Sequence, residues 1–410
     1  MGTLTNSTTK AELSYYASLT FLTLSKTLPH AILTVLLLHK GLQLADIMFV
    51  QALFSVAVFL CEFPSGVLAD LYDRRVLYEI SIVVWIVACL TIYWGQGFIP
   101  MAIAWVLYGI SEALSSGTID ASLINLCKVS SVDPVEQVKR FKRISNQLSL
   151  VAMVVGASLG SVLYFRIGFN MYLVGVAFAV LSVLPIIFFF PHDNQSEQHS
   201  NRTIRQQIET ALAEVKSDRT LLLLIALTAV SQIFFGTHFN LWQAYMLSIG
   251  MSENNLIYWY FLLQAIGIVA YSIRIDQHLR RVMLLATPCA MAFPLFILFP
   301  DRIVGVCAYC LATFTFMFLQ YMYDVLFSLR VSQERISTLI TLNSTASRLA
   351  GFLVLGANGL LLNTVNLRYL IVTDFEISLV LSVVLCFLFL RSKHKRVEGS
   401  SGIKEITSSA

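Results

Sequence analysis

The sequence predicts an all-α polytopic membrane protein, with twelve transmembrane helices arranged as two six-helix pseudo-repeat bundles. Of its 410 residues, 57% are hydrophobic and only 13% are charged, against about 45–50% and about 25% in soluble domains. The apolar stretches are continuous over the length that a bilayer core of about 30 Å requires, and they do not alternate as β-barrel strands do. This composition excludes a soluble enzyme, a nucleic-acid-binding protein and a disordered scaffold.

Twelve stretches are long and apolar enough to cross the bilayer as helices. We number them spans 1 to 12 in chain order. Their approximate bounds are 14–38, 44–71, 76–95, 99–126, 143–165, 168–190, 220–247, 254–275, 281–300, 302–325, 336–362 and 367–390. The connections after odd-numbered spans are short and nearly uncharged, whereas those after even-numbered spans carry basic clusters.

The distribution of basic residues predicts the side of the membrane on which each connection lies. The two termini and the connections after even-numbered spans hold 22 of the 28 Lys and Arg residues. The opposite side holds only 4, namely Lys40, Arg166, Arg302 and Arg368. By the positive-inside rule, both termini are predicted to be cytoplasmic. The short basic loops favour a bacterial cell inner (cytoplasmic) membrane as the location.

The longest connection divides the chain into two halves of six spans each. The predicted domains are an N-terminal bundle (1–190), a cytoplasmic linker (191–219), a C-terminal bundle (220–392) and a cytoplasmic tail (393–410). Similar motifs recur in the two halves at offsets of 200 to 206: Asp70-Arg74-Arg75 with Asp276-Arg280-Arg281, Asp120 with Asp324, and Gly156–Gly160 with Gly356–Gly359. Because each half has an even number of spans, both insert in the same orientation, as in two-lobed transporters with parallel repeats.

The connection after span 2 carries the most specific motif. Its sequence is Gly66-Val67-Leu68-Ala69-Asp70-Leu71-Tyr72-Asp73-Arg74-Arg75. This loop resembles the signature loop of the major facilitator superfamily, in which a Gly usually stands at the position of Asp73. The resemblance is to bacterial drug and metabolite efflux members. It implies that the two bundles rock about a central cavity lined by spans 1, 4, 7 and 10.

The same resemblance implies a gate at the cytoplasmic ends of the helices. Its predicted residues are Gly66, Asp70, Arg74, Arg75, Asp120, Asp276, Arg280, Arg281 and Asp324. Such a cluster could latch the outward-facing state and release when the bundles rock. The alternative is that these are ordinary charges at helix ends, placed there by topology alone.

Charged residues inside a bilayer are functional candidates because each is costly unless it is paired or hydrated. Lys26 in span 1 and Glu112 in span 4 both lie near mid-membrane, where they could face each other. This pair either serves substrate and proton or only holds the two helices together. Glu62 in span 2 is the second candidate for proton coupling, with a helix-packing contact as its alternative.

Polar residues in the other spans complete the predicted substrate cavity. Its members are Lys26, His30, His238, Asn240, Gln243 and Arg348. Arg348 favours an anionic or zwitterionic substrate, whereas His30 and His238 are alternatively hydrogen-bonded core residues. Trp242 and Tyr245 fit an aromatic belt at the membrane interface, or alternatively an aromatic wall that suits an amphipathic organic ligand.

These features predict proton-coupled efflux of a small amphipathic organic solute, by antiport, through a monomer in the lipid bilayer. Ser161 stands where proton-driven exporters carry a Pro in span 5, which weakens the prediction of export. The alternatives are proton-coupled uptake of a sugar, amino acid or organic acid, and, more remotely, a transport-dead sensor. No enzymatic activity, cofactor, metal site or nucleic-acid partner is expected.

Overall fold

A computed structural model of the protein describes residues 2–71, 73–116, 118–130, 134–190, 215–216, 218–273, 290–299, 301–330 and 336–407. Regular structure in these residues is helical, and none of them lies in a strand. The chain forms two compact units. Unit 1 comprises Met1–His199 and Met246–Phe261, and unit 2 comprises Ser200–Tyr245 and Leu262–Ala410. Most of the predicted linker, 191–219, lies outside the described residues.

The described helices follow the predicted spans closely in position. They are α1 (Gly2–Thr27), α2 (Leu33–His39), α3 (Leu44–Leu71), α4 (Arg74–Trp94), α5 (Phe98–Ser115), α6 (Ile119–Ser130), α7 (Pro134–Ile167), α8 (Met171–Phe189), α9 (Arg219–Ser248), α10 (Leu256–Ser272), α11 (Arg302–Arg330), α12 (Ile336–Leu361) and α13 (Leu367–Thr407). Short 3₁₀ turns occupy Gly168–Asn170, Glu253–Asn255 and Pro294–Leu298.

Several of these helices are long and apolar enough to span a membrane. Eight such stretches occur in the described part of the chain, and the longest, Ile144–Phe189, includes both span 5 and span 6. Most of span 9 lies outside the described residues, which resume at Ala290. The protein is therefore an all-α polytopic membrane protein.

Span 1 consists of two helices where the hydropathy predicts one. Helix α1 ends at Thr27, and turns lead to the start of α2 at Leu33. Pro29 explains the break, because it has no backbone N–H and disfavours helical geometry in the residue before it. The α1 helix also begins at Gly2, well before the predicted start of span 1.

Span 4 is interrupted in the same way, although it contains no proline at that point. Helix α5 ends at Ser115, and α6 begins at Ile119. The backbone of Ser116 is extended, and its N–H closes the last turn by donating to the Glu112 carbonyl at 3.1 Å. The two interruptions follow directly after Lys26 and Glu112, the two charged residues predicted to pair.

Several helix starts are fixed by a side chain that accepts a backbone N–H. An Asp or Asn just before the first turn is the preferred residue type for this role. These caps are Asp73 for α4, Asp218 for α9, Asp301 for α11 and Asn366 for α13. Asp73 thus has a local structural role, because it caps the helix that forms span 3.

Two glycines end helices at equivalent places in the two halves of the sequence. Gly41 follows α2 with a φ of 87°, and Gly250 follows α9 with a φ of 83°. Each helix closes with the two backbone bonds of a Schellman motif: Gly41 N to Leu38 O and Leu42 N to Leu37 O, and Gly250 N to Leu247 O and Met251 N to Met246 O. Positive φ favours glycine at both positions.

In unit 1, glycines of α7 allow the broken end of span 1 to pack closely. A Cβ added to Gly160 would lie 1.8 Å from the Leu28 carbonyl oxygen, and one added to Gly156 would lie 2.1 Å from Thr27 Oγ1. Small residues that let helices approach in this way are typical of membrane interfaces. The small-residue face predicted in span 5 therefore contacts span 1, just beyond Lys26.

Candidate functional site

Lys26 and Glu112 form an ion pair within unit 1. The Nζ of Lys26 lies 2.6 Å from Oε1 of Glu112, and the two side chains are 12% and 36% exposed. Lys26 occupies the last turn of α1, where the negative end of the helix dipole favours a cation. Glu112 occupies the last turn of α5, where that dipole disfavours an anion, so its charge depends on Lys26 for compensation. The predicted contact is confirmed, and its role in transport stays a prediction.

Each charged residue of the pair follows a buried serine that is anchored to another helix. The hydroxyl of Ser25 donates to the Gly175 carbonyl in α8 at 2.7 Å, and that of Ser111 donates to the Ser81 carbonyl in α4 at 2.7 Å. The indole N–H of Trp85 also donates to Ser25 Oγ at 2.8 Å. These bonds fix the backbone beside both charges, so the pair is held by the bundle around it.

Aromatic rings stand beside the pair. Tyr108 lies one turn before Glu112 on α5, and the Nζ of Lys26 is 5.9 Å from its ring centroid, within range of a cation–π contact. The Tyr108 ring is 4.8 Å from that of Phe54 and 4.7 Å from that of Trp85, measured between centroids. The site therefore combines a charge pair with an aromatic surface.

The predicted residue His30 lies in the turns between α1 and α2, and Glu62 lies in α3. Both are half-buried. The N–H of His30 donates to the Thr27 carbonyl at 3.0 Å, so the histidine backbone belongs to the break in span 1. Its position there places it within one turn of Lys26 along the chain.

In unit 2, His238 is a core residue. It is 2% exposed, its Nδ1 lies 3.0 Å from the hydroxyl of Tyr309, and its ring stacks on Phe234 at 5.1 Å and 11°. Phe234 stacks in turn on Phe316 at 3.9 Å. This geometry matches the alternative interpretation of His238 as a hydrogen-bonded core histidine.

The expected interfacial belt in span 7 is wrong for both of its residues. Trp242 is 5% exposed and Tyr245 is fully buried. The Tyr245 ring stacks on Tyr309 at 5.0 Å and 13°, which extends the aromatic core of unit 2. Position near a helix end suggested the interface, whereas the packing of α9 against α11 places these rings inside.

The remaining cavity candidates in unit 2 have different surroundings. Asn240 is half-buried and donates from Nδ2 to the Gly236 carbonyl of its own helix at 2.8 Å. Gln243 is 2% exposed, and Arg348 is half-buried in α12. Their assignment to a substrate cavity stays a prediction.

Among the predicted gate residues, Arg75 binds the end of α8. Its Nη1 donates to the Phe190 carbonyl at 2.8 Å, its Nη2 to the Ile187 carbonyl at 2.7 Å, and its Nε to Glu79 Oε1 at 2.9 Å. The N–H of Arg75 also donates to Asp73 Oδ1 at 2.9 Å. Arg75 thus ties the start of α4 to the end of α8 within one unit, as the helix-end alternative expects.

The other gate residues are only partly described. The backbones of Gly66 and Asp70 lie within α3, Arg74 is the first residue of α4, and Asp276, Arg280 and Arg281 lie outside the described residues. The sequence placed Asp120 and Asp324 at the cytoplasmic ends of spans 4 and 10. In the structure, each lies in a helix that continues beyond it. Asp120 is in the first turn of α6, and Asp324 accepts from Gln320 Nε2 at 2.9 Å while α11 continues to Arg330.

Asp374 in span 12 was not among the predicted site residues, yet it is a buried acid within the membrane-spanning part of α13. It is 7% exposed and is bound by Thr237 and Asn358. The signal was present in the sequence, since an Asp eight residues into a spanning helix is a functional candidate by default.

Most of the chain matches one known protein family. Residues 16–355 match the family model of the Major Facilitator Superfamily. The protein belongs to this superfamily. This membership, together with the apolar helices, makes the chain a multi-pass membrane protein, and its superfamily is one of transporters and not of enzymes.

Relatives within the superfamily are distant. The uncharacterized MFS-type transporter YxaM of Bacillus subtilis (strain 168) is 22% identical over 257 residues, which are 60% of this chain and 61% of that relative. A variant of the nucleoside transporter NupG shares the fold with a TM-score of 0.71 at 15% identity, covering 93% of this chain and 99% of that one. A bacterial homolog of the human lysosomal transporter Spinster, inward-facing and unoccupied, gives a TM-score of 0.67 at 15% identity, with 93% and 95% covered.

Proposed function

We propose that this superfamily member exports a small amphipathic organic solute in exchange for protons. We propose further that it acts as a monomer in the cytoplasmic membrane, with both termini in the cytoplasm. The observation that carries the proposal is the Lys26–Glu112 ion pair at the interruptions of spans 1 and 4. Glu62 stays in reserve as a second proton carrier.

The chemistry of the pair suits a proton switch. With Glu112 ionised, the two charges neutralise each other, and the 2.6 Å contact holds α1 to α5. A proton on Glu112 abolishes this attraction and leaves Lys26 as an uncompensated cation. The side chain of Glu112 is 36% exposed, so the neighbouring helices of the bundle do not enclose it completely. The two protonation states therefore favour different arrangements of spans 1 and 4.

The surroundings of the pair favour an amphipathic substrate. The half-buried rings of Tyr108 and Phe54 form an apolar surface next to the charges, and the buried ring of Trp85 packs against Tyr108. An organic solute with an aromatic or cationic part can stack on such a surface, while the charged pair binds its polar part. Alternating access between two six-helix bundles would then carry the solute across the membrane.

A growth-inhibition panel in an efflux-deficient bacterial host tests this proposal. Wild type, Glu112→Gln, Lys26→Gln and the double variant would be compared at matched membrane levels against amphipathic toxic compounds. We expect wild type to raise tolerance to at least one compound and Glu112→Gln to reduce it to that of the empty vector. Lys26→Gln leaves the Glu112 carboxylate without its cationic partner, so expression of this variant needs particular control.

The double variant separates coupling from packing. If the pair only holds helices together, neutralising both partners removes the uncompensated charge and restores export. If Glu112 carries the proton, the double variant is stably folded but inactive. Asp301→Asn is the matched control, because it also removes one carboxylate while Asn keeps the cap of α11.

Uptake of a metabolite is the alternative outcome of the same experiment. The alternating cycle runs in either direction, and the fold is shared with a nucleoside transporter. If wild type protects against no compound, export is wrong. Accumulation assays with nucleosides, sugars, amino acids and organic acids would then follow, with Glu112→Gln again as the test of coupling.

A further inference from the structure

Unit 2 contains a polar trio that joins three spans within its apolar interior. Asp374 comes from α13, Thr237 from α9 and Asn358 from α12, and their side chains are 7%, 0% and 2% exposed. The hydroxyl of Thr237 donates to Oδ2 of Asp374. The Nδ2 of Asn358 donates to the same Oδ2 at 2.7 Å and to Thr237 Oγ1 at 2.9 Å.

The geometry distinguishes the two oxygens of Asp374. Both donors of the trio converge on Oδ2, which makes this oxygen the acceptor. A neutral carboxylic acid has one acceptor oxygen and one hydroxyl, so Oδ1 is the position left for a proton. The arrangement therefore accommodates both the uncharged acid, with its proton on Oδ1, and the ionised carboxylate, in one orientation held by Thr237 and Asn358.

The electrostatic environment favours the uncharged form in the conformation described here. No described Lys, Arg or His nitrogen lies within 4.0 Å of the Asp374 carboxyl group, in contrast to the Lys26 partner of Glu112. An ionised carboxylate without a cationic partner is very costly in the middle of a bilayer. Two neutral donors offset only a part of that cost.

Other titratable groups near the trio belong to the elements that surround it. On α13 itself these are Arg368, about one and a half turns before Asp374, and Glu376, two residues after it. On α9 the neighbour of Thr237 is His238, whose ring is bound to Tyr309 of α11. On α12 the nearest charged residue along the helix is Arg348, and the 3₁₀ turn Pro294–Leu298, which packs on α13, has none.

We propose that Asp374 is a second proton site of the protein, independent of Glu112. In the conformation described here the proton is on Oδ1. When movement of α9, α12 or α13 admits water, the Oδ1–H bond breaks, the proton passes to a water molecule, and the carboxylate stays on the protein. Thr237 and Asn358 position the carboxyl group for this exchange, and their donation to Oδ2 stabilises the ionised product.

Infrared difference spectroscopy on the purified full-length protein tests this site without any substrate. A protonated carboxylic acid has a C=O stretching band that shifts in D₂O, whereas an ionised carboxylate lacks this band. We expect wild type to show such a band, which weakens as the pH rises from about 5 to about 9, across the range where buried acids titrate. Asp374→Asn should lack it. Asp374→Glu should restore a protonated band at a different frequency.

Two further variants serve as controls. Glu376→Gln removes the neighbouring acid of the same helix, and Glu112→Gln removes the carboxyl group of the ion pair, and both should keep the Asp374 band.

The proposal is overturned if wild type and Asp374→Asn have the same spectrum, since Asp374 is then ionised. It is equally overturned if the band is constant at every pH, because the acid is then only structural. If Asp374→Asn does not fold, the change in frequency between wild type and Asp374→Glu makes the assignment. None of these outcomes depends on Glu112, so failure here and failure of the proposed export are separate results.

Discussion

Lys40 is the most deeply buried basic residue with described contacts, and it has a structural role at the end of α4. Its side chain is 1% exposed, and its Nζ donates to the carbonyls of Tyr93 and Gly95 at 2.9 Å each. Those carbonyls end α4, where the chain leaves the helix. The Nζ also lies 4.1 Å from the ring centroid of Phe169. Lys40 therefore donates hydrogen bonds to carbonyls at the C-terminus of α4, where carbonyls have no N–H partner within the helix.

We expect Lys40→Met to destabilise the protein without changing its substrate. The substitution keeps the apolar stem but removes both hydrogen bonds from a charged donor, a loss of about 1.5–3 kcal/mol for each such bond when nothing replaces it. The measurement is the apparent melting temperature of the purified protein in detergent, which should fall by several degrees.

Arg166→Met is the matched control, because Arg166 is an exposed basic residue predicted on the same side of the membrane. An equal melting temperature for Lys40→Met and Arg166→Met would show that the Lys40 contacts contribute nothing to stability.

Residue roles could be predicted from the sequence only where topology restricts the choice of partners. Lys26 and Glu112 are charges at similar depth in spans 1 and 4, so their contact followed from hydropathy and position. Lys40 was counted as a basic residue of an outer loop, because nothing in the sequence shows that carbonyls of another helix surround it. Asp374 was missed because its partners are a Thr and an Asn, which are common in membrane helices.

At the scale of elements, equal sequence patterns do not have equal packing. The segments Gly156–Gly160 and Gly356–Gly359 look like repeats, but Gly160 and Gly356 have different surroundings. A Cβ on Gly160 would meet the Leu28 carbonyl at 1.8 Å, whereas among the described residues no heavy atom lies within 4 Å of a Cβ built on Gly356. The close contact exists because the interruption after α1 brings its backbone against α7.

This contrast makes a paired prediction. Gly160→Ala forces α7 away from the end of span 1, and overpacking of this kind costs about 1–3 kcal/mol. Gly356→Ala adds a methyl group in open space within a helix, where Ala is favoured over Gly by up to about 1 kcal/mol. We expect the first variant to melt at a lower temperature in detergent and to lose export, and the second to equal or exceed wild type in both.

Equal melting temperatures for the two variants would contradict the close packing of α7 on span 1. A lower temperature for Gly160→Ala with full export would instead separate the packing from transport. It would then leave the ion pair as the functional part of this region.

Helix existence was predictable, and helix continuity was not. Runs of about 20 apolar residues set the positions of the spans. The interruption in span 1 has a visible cause in Pro29, which the hydropathy average does not weigh. The interruption in span 4 has no proline, but it falls at Ser116, Gly117 and Thr118, which are weak helix formers that an average of hydropathy does not register.

At the scale of the whole molecule, the two halves share details of local structure that the sequence repeats indicate only weakly. Spans 1 and 7 both end in a Schellman motif, at Gly41 and Gly250, an offset of 209. His30 and His238 recur at an offset of 208, but one lies in a break and the other in an aromatic core. The two halves therefore share a feature of backbone geometry, whereas their histidines have different surroundings.

The orientation of the molecule in the membrane gives the last prediction. Because 22 of the 28 basic residues fall on one side, we expect that side to be cytoplasmic. Fusions of alkaline phosphatase at Gln96 and Gly250 should be active, since these positions follow spans 3 and 7 and face the outside. Fusions at Ser200 and Ala410 should be inactive, and green fluorescent protein at the same four positions should give the opposite pattern. An active phosphatase at Ser200 would show the reverse topology. The start of α4 and the end of α8, which Arg75 joins, would then lie on the outer surface instead of at a cytoplasmic gate.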